Sequence, residues 1–206
     1  MPGPDYEHAK QYVIQQLERK LPPMTYYHSV GHTRDDVLPA AQRLADMEGV
    51  VGEDRCCLLT AACYHDIGYI QRGLEHERYG ARITAKILPA FGYTPPQIEL
   101  IQRLIMATRL PTNPQTLLEK IIVDADMDSL GRDDFLKTSH ALQNELAARG
   151  VEISPDGWYI HQLEFLGSHR YYTDSAKCLR EAGKQRNVEQ VRRLLAEFQA
   201  SQQQPG

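Results

Sequence analysis

The chain has 206 residues, a net charge of −4 and 42% hydrophobic residues, an ordinary composition for one substantial folded domain. That charge leaves no basic footprint for a nucleic-acid polymer, although a metal can still neutralise the phosphates of a single nucleotide. No apolar run approaches the roughly 18 residues of a membrane span, no basic-then-apolar leader opens the chain, and the four cysteines form no CxxC pair, which together point to reduced, buried thiols in a cytoplasmic protein.

The apolar spacing is helical almost throughout. Residues 5–21 open on an Asp5 cap and stop at Pro22-Pro23. Residues 35–49 continue the region after His32 and end at Gly49, with Pro39 as a place for a kink. A strongly apolar helix over 53–69 ends near Gly68, and an amphipathic one over 76–92 stops at Gly92. Residues 94–109 begin on a favourable Pro95-Pro96 pair. Further helices cover 114–131, 132–150, 157–169, 173–184 and 187–199, and "VEISPDGWYI" is the best strand candidate. The expectation is an all-α, bundle-like single domain of nine or ten helices.

Three stretches carry chemistry. "YYHSVGH" sets His28 and His32 four residues apart, one helical turn if the segment is helical. The pair could share a metal, divide ligation and proton transfer between them, or lie on the surface. In "ACYHDIGY", His65 and Asp66 end a nearly all-apolar helix, where an unpaired carboxylate is costly. A divalent metal or a hydrogen-bonded His-Asp pair would each answer that cost. In "IIVDADMDSLG", an apolar run leads into Asp124, Asp126 and Asp128. A calcium loop started at Asp124 would need Gly and Glu where Ser129 and Phe135 stand, so it is rejected. Ser29 likewise rejects the zinc-protease HExxH pattern. A mixed set of imidazoles and carboxylates from three helices leaves open positions for water and substrate, as a hydrolytic metal site requires.

The order H…HD…D over about residues 25–135, with "YHSVGH" and "DADMD" as context, resembles the HD-domain metal-dependent phosphohydrolases, whose wider superfamily includes the cyclic-nucleotide phosphodiesterases. The tail "LEFLGSHRYYTDSAKCLREAGK" looks like an uncharacterised subgroup of them. The resemblance implies an HD core at about 25–135, with helices over about 136–202 packed on it. It implies His32, His65, Asp66 and Asp126 as metal ligands, with Asp124 as the alternative to Asp126. It also implies His28 as the acid that protonates the leaving oxygen, and Asp66 as a carboxylate that both ligates and orients the attacking water. The implied cofactor is a divalent Mn, Mg, Fe, Ni or Zn, with room for a second, looser Mg or Mn. The implied substrate is a small phosphate mono- or diester, a nucleotide foremost, with neither nucleic-acid polymer nor membrane as partner. Oligomeric state and substrate identity are not legible.

Two departures matter. Tyr69 stands where many HD proteins have a Lys able to contact phosphate, and Thr108 stands about where a further metal-binding His could be. His76, in the polar run "GLEHERYG", is read as a surface residue or helix cap. Two alternatives follow: a non-catalytic metal or nucleotide sensor, and an HD-type diiron oxygenase using His76 and His28. Arg109, His169 and Arg170 are weaker candidates, read as solvated or packing residues, and Trp158, Tyr171 and Tyr172 are assigned to the core.

Overall fold

The computed structural model describes residues 3–71 and 73–202. Among them are nine α-helices and no strand, in line with the all-α expectation. The chain divides into two compact units, Met1–Met127 and Asp128–Gly206.

The first unit holds α1 (Tyr6–Lys20), α2 (Leu38–Met47), α3 (Gly52–Tyr64), α4 (His76–Ile87), α5 (Pro95–Ala107) and α6 (Leu117–Asp126). Local chemistry sets the helix starts. Asp5 accepts the His8 backbone N–H at 3.2 Å, Gln97 accepts the Thr94 N–H at 2.8 Å, and Glu119 accepts the Thr116 N–H at 3.1 Å. At the stops, Gly49 and Gly92 adopt φ of 70° and 77°, which side chains disfavour. The centre of this unit is α3, which packs against α1, α2, α5 and α6. Every residue from Cys57 to Tyr64 is buried, and the Tyr64 hydroxyl donates to the Ala9 carbonyl at 2.9 Å. The chain therefore leaves α3 while still inside the core, so His65 and Asp66 follow with 1% and 2% exposure.

The second unit holds α7 (Phe135–Ala148), α8 (Pro155–Ser168) and α9 (Asp174–Gln202). Two expectations fail here. The proposed strand at "VEISPDGWYI" is instead an irregular stretch, 151–154, running into the first turns of α8, with Ser154 accepting the Gly157 N–H and Pro155 in the first turn. The helices expected at 173–184 and 187–199 are one helix, α9. Gly183 does not interrupt it. It allows a close approach, since a Cβ there would lie 2.0 Å from the Gly131 carbonyl oxygen. Asn187 then donates to the Leu130 and Arg132 carbonyls at 2.9 Å each, and Arg180 forks onto Asp128 at 2.8 and 2.9 Å. Trp158 and Tyr171 are core residues, as read from the sequence. All four cysteines are free, but Cys178 is exposed rather than buried and Cys56 only half-buried.

Candidate metal centre

Three segments of the first unit converge. His28 lies in a bend before the helix that begins near Val30, so a shared helical face does not relate it to His32. Ser29 accepts the His32 backbone N–H at 3.3 Å, and from His32 to Val37 the chain runs as a π-helix before α2. Such wide turns gather at functional sites because they re-aim side chains within a helix. Here His32 is turned into the core with 5% exposure.

The His32 Nε2 lies 3.1 Å from Asp126 Oδ1 and 3.8 Å from Asp66 Oδ2. The His65 Nε2 lies 3.2 Å from Asp66 Oδ2 and 3.6 Å from Asp126 Oδ1. Ligand atoms of His32, His65 and Asp66 all fall within 4.8 Å of one another. In "DADMD", Asp126 lies beside both imidazoles, while Asp128 belongs to the second unit and pairs with Arg180.

Two observations test whether a cation fits. His65 Nδ1 lies 2.9 Å from the Ala62 carbonyl oxygen, which fixes the ring and leaves Nε2 facing the carboxylates. His65 Nε2 and Asp66 Oδ2 are both buried with no hydrogen-bond partner, although only 3.2 Å apart. Each such orphaned polar atom costs about 1–3 kcal/mol. A divalent cation coordinated by two imidazoles and two carboxylates removes that cost, so the donor set fits a metal.

Without a cation, the same groups behave as paired charges. Burial pulls His65 down, but Asp66 and then Asp126 outweigh it and bring it up to about 9. Burial raises Asp66, and His65, His76 and His28 overcome it, holding the carboxylate well below its ordinary value. Asp126 is lowered too, because His32 and His65 outweigh its burial. The metal-free cluster thus holds its carboxylates ionised and His65 protonated, and a cation must displace the His65 proton before Nε2 can ligate it.

His76 is a correction to the sequence reading. It is turned inward, with Nε2 3.4 Å from Asp66 Oδ1 and 3.6 Å from Glu77 Oε1. The two oxygens of Asp66 thus face different imidazoles, Oδ2 toward His32 and His65 and Oδ1 toward His76. The polar neighbours of His76 concealed this, as the inward turn comes from backbone geometry. Gly68 lets the 67–70 turn meet the start of α4, since a Cβ there would lie 1.9 Å from the His76 carbonyl oxygen. Glu75 enters α4 at φ 56°, a left-handed conformation that few non-glycine residues adopt. Arg109 is exposed, and Thr108 is buried with its hydroxyl on the Ile105 carbonyl.

An all-α core carrying a buried H…HD…D constellation defines a class of metal-binding domain. The chain belongs to the HD domain family: the family model matches residues 25–129, just over half of the chain. That match ends within a few residues of the boundary between the two units. Three solved structures are similar along most of their length. A predicted HD superfamily hydrolase from an uncultured Thermotogales bacterium is 21% identical, with 91% of this chain and 92% of that one covered and a TM-score of 0.62. A protein from Lactobacillus plantarum is 18% identical, with 95% and 97% covered and a TM-score of 0.70. Bacillus subtilis YpgQ, solved in complex with ADP, is 16% identical, with 93% and 97% covered and a TM-score of 0.65. At these identities the likeness is one of fold. No protein of curated function matches the chain. No helix among the described residues is long and apolar enough to cross a membrane.

Proposed function

We propose that this protein is a metal-dependent phosphohydrolase that cleaves a small phosphate mono- or diester, a nucleotide foremost. The observation that carries the reading is the orphaned pair, His65 Nε2 and Asp66 Oδ2, buried beside His32 and Asp126. HD family membership supports the hydrolase class, and the ADP held by YpgQ supports a nucleotide.

His32, His65, Asp66 and Asp126 hold the cation. When bound, a divalent cation lowers the pKa of a coordinated water and takes up charge on a phosphoryl oxygen. Asp66 orients the attacking water through its second oxygen, on the His76 side. His28, whose ring centroid is 6.1 Å from that of His32, donates a proton to the departing alcohol oxygen. The four free cysteines accord with a cytoplasmic setting.

The decisive measurement is phosphate release with Mn²⁺, Mg²⁺, Ni²⁺ or Fe²⁺ from nucleoside mono- and triphosphates, cyclic nucleotides and an aryl phosphate. Turnover is expected, and Asp66→Ala should abolish both metal retention and turnover. Full activity in Asp66→Ala overturns the reading. His76 beside Asp66 Oδ1 favours a second, looser Mg²⁺ or Mn²⁺ position. A titration that saturates at one metal per chain in the presence of substrate analogue would remove that second position.

A further inference from the structure

Tyr69 occupies a place that family resemblance assigns to a phosphate-contacting lysine, and what it does there is visible in its surroundings. Its side chain is 5% exposed. Its ring stacks on His28, with centroids 4.2 Å apart and planes 21° apart. The His76 ring lies equally close, at 4.2 Å and 33°. His28 and His76 are themselves 5.8 Å apart. The ring thus has an imidazole of the candidate site on each of two contacts.

His28 lies in a non-helical bend, where its ring also meets Tyr27 edge-on, at 4.8 Å and 85°. Tyr69, by contrast, is held in a turn pinned against α4 by the close approach at Gly68. A flat aromatic face in van der Waals contact fixes the plane of an imidazole without engaging its ring nitrogens.

We propose that Tyr69 is a positioning residue: its ring sets the plane of the His28 imidazole so that His28 meets the leaving oxygen. The kinetic consequence rests on the hydrolase reading above, whereas the ring geometry does not. Tyr69→Phe keeps the stacked face and Tyr69→Leu removes it. In Tyr69→Leu, kcat should fall about tenfold with KM within about twofold, because a displaced catalytic group costs rate rather than binding. Tyr69→Phe should restore the rate to within about threefold. His28→Ala should lower kcat about a hundredfold, and adding Tyr69→Leu to it should cost nothing more. A double variant that falls by the product of the two single losses overturns the proposal, since Tyr69 would then act independently of His28.

Proton NMR of the metal-free protein separates this outcome from failure of the hydrolase reading. The assigned His28 ring protons should carry the upfield ring-current shift of a stacked face in the wild type and in Tyr69→Phe, and in Tyr69→Leu lose that contribution while keeping the one from Tyr27. An unshifted His28 ring in the wild type overturns the positioning role without any variant having to fold. A shifted ring in a protein that turns over no phosphate ester supports the geometry and overturns the hydrolysis.

Discussion

His169 shows how one side chain can write a pH dependence into the fold. Both ring nitrogens are buried without a hydrogen-bond partner, and the ring meets Tyr171 edge-on at 4.6 Å. Burial first, then the cation of Lys184, depress its pKa to about 4, against a weaker opposing pull from Glu181. In the unfolded chain the value is about 6.5. The folded state therefore resists the proton that the unfolded state accepts. The stabilisation from neutral His169 is complete above pH ~6.5, is lost as pH falls toward ~4, and changes no further below that. The full shift corresponds to about 3 kcal/mol, and partial exposure of the ring reduces the expected effect to about 1–2 kcal/mol. Urea unfolding at pH 7.5 and 4.5 should show the wild type losing that much more than His169→Phe, and equal losses would place the acid sensitivity elsewhere. The sequence reading assigned His169 to packing, and its depressed pKa depends on burial and on Lys184, fifteen residues away, which no local pattern displays. The metal-site candidates were more legible. His65, Asp66 and Asp126 each interrupt or end an apolar run, where an uncompensated polar group is costly. His76 is surrounded by charged residues, so the sequence favoured a surface or cap role over the ligand role that the diiron alternative gives it.

At the scale of elements, helix limits were readable wherever a cap or a turn residue announced them, as at Asp5, Gly92 and the Pro95-Pro96 start. The misreading of α9 came from a glycine with two opposite meanings. Within a helix, Gly→Ala on an open surface stabilises by about 1 kcal/mol. At Gly183 the sign should reverse. The Cβ would meet the Gly131 carbonyl oxygen at 2.0 Å, and one on Gly131 would meet the Arg180 carbonyl oxygen at 2.3 Å. Relief would push α9 away from the 128–131 turn, stretching the Asn187 bonds and the Arg180–Asp128 fork. Gly183→Ala should therefore destabilise by about 3 kcal/mol in urea unfolding. A stabilised variant would mean that the glycine serves backbone conformation alone. The π-helical turn at His32 was equally hidden, since no residue type in "HTRDDV" announces it.

At the scale of the whole molecule, a cation in the HD site is also a folding term. The metal-free core carries an orphaned imidazole nitrogen and an orphaned carboxylate oxygen, and the unfolded chain cannot assemble their partners. A ligand that binds only the folded state stabilises it by about 2.7 kcal/mol at a hundred times its Kd. For a chain of this length that is a rise in Tm of about 5–10 °C. Mn²⁺ and Ni²⁺ should produce the rise and Ca²⁺ should not, because calcium seeks six to eight oxygen ligands and this set offers two imidazoles. Asp66→Asn keeps the size of the side chain but removes its charge, so its Tm should not respond to any of the three. Equal shifts in wild type and Asp66→Asn would show metal binding elsewhere on the acidic surface and detach the stabilisation from His32, His65 and Asp126. A wild-type shift that Asp66→Asn lacks ties the stability of the fold to the carboxylate that faces imidazoles on both sides.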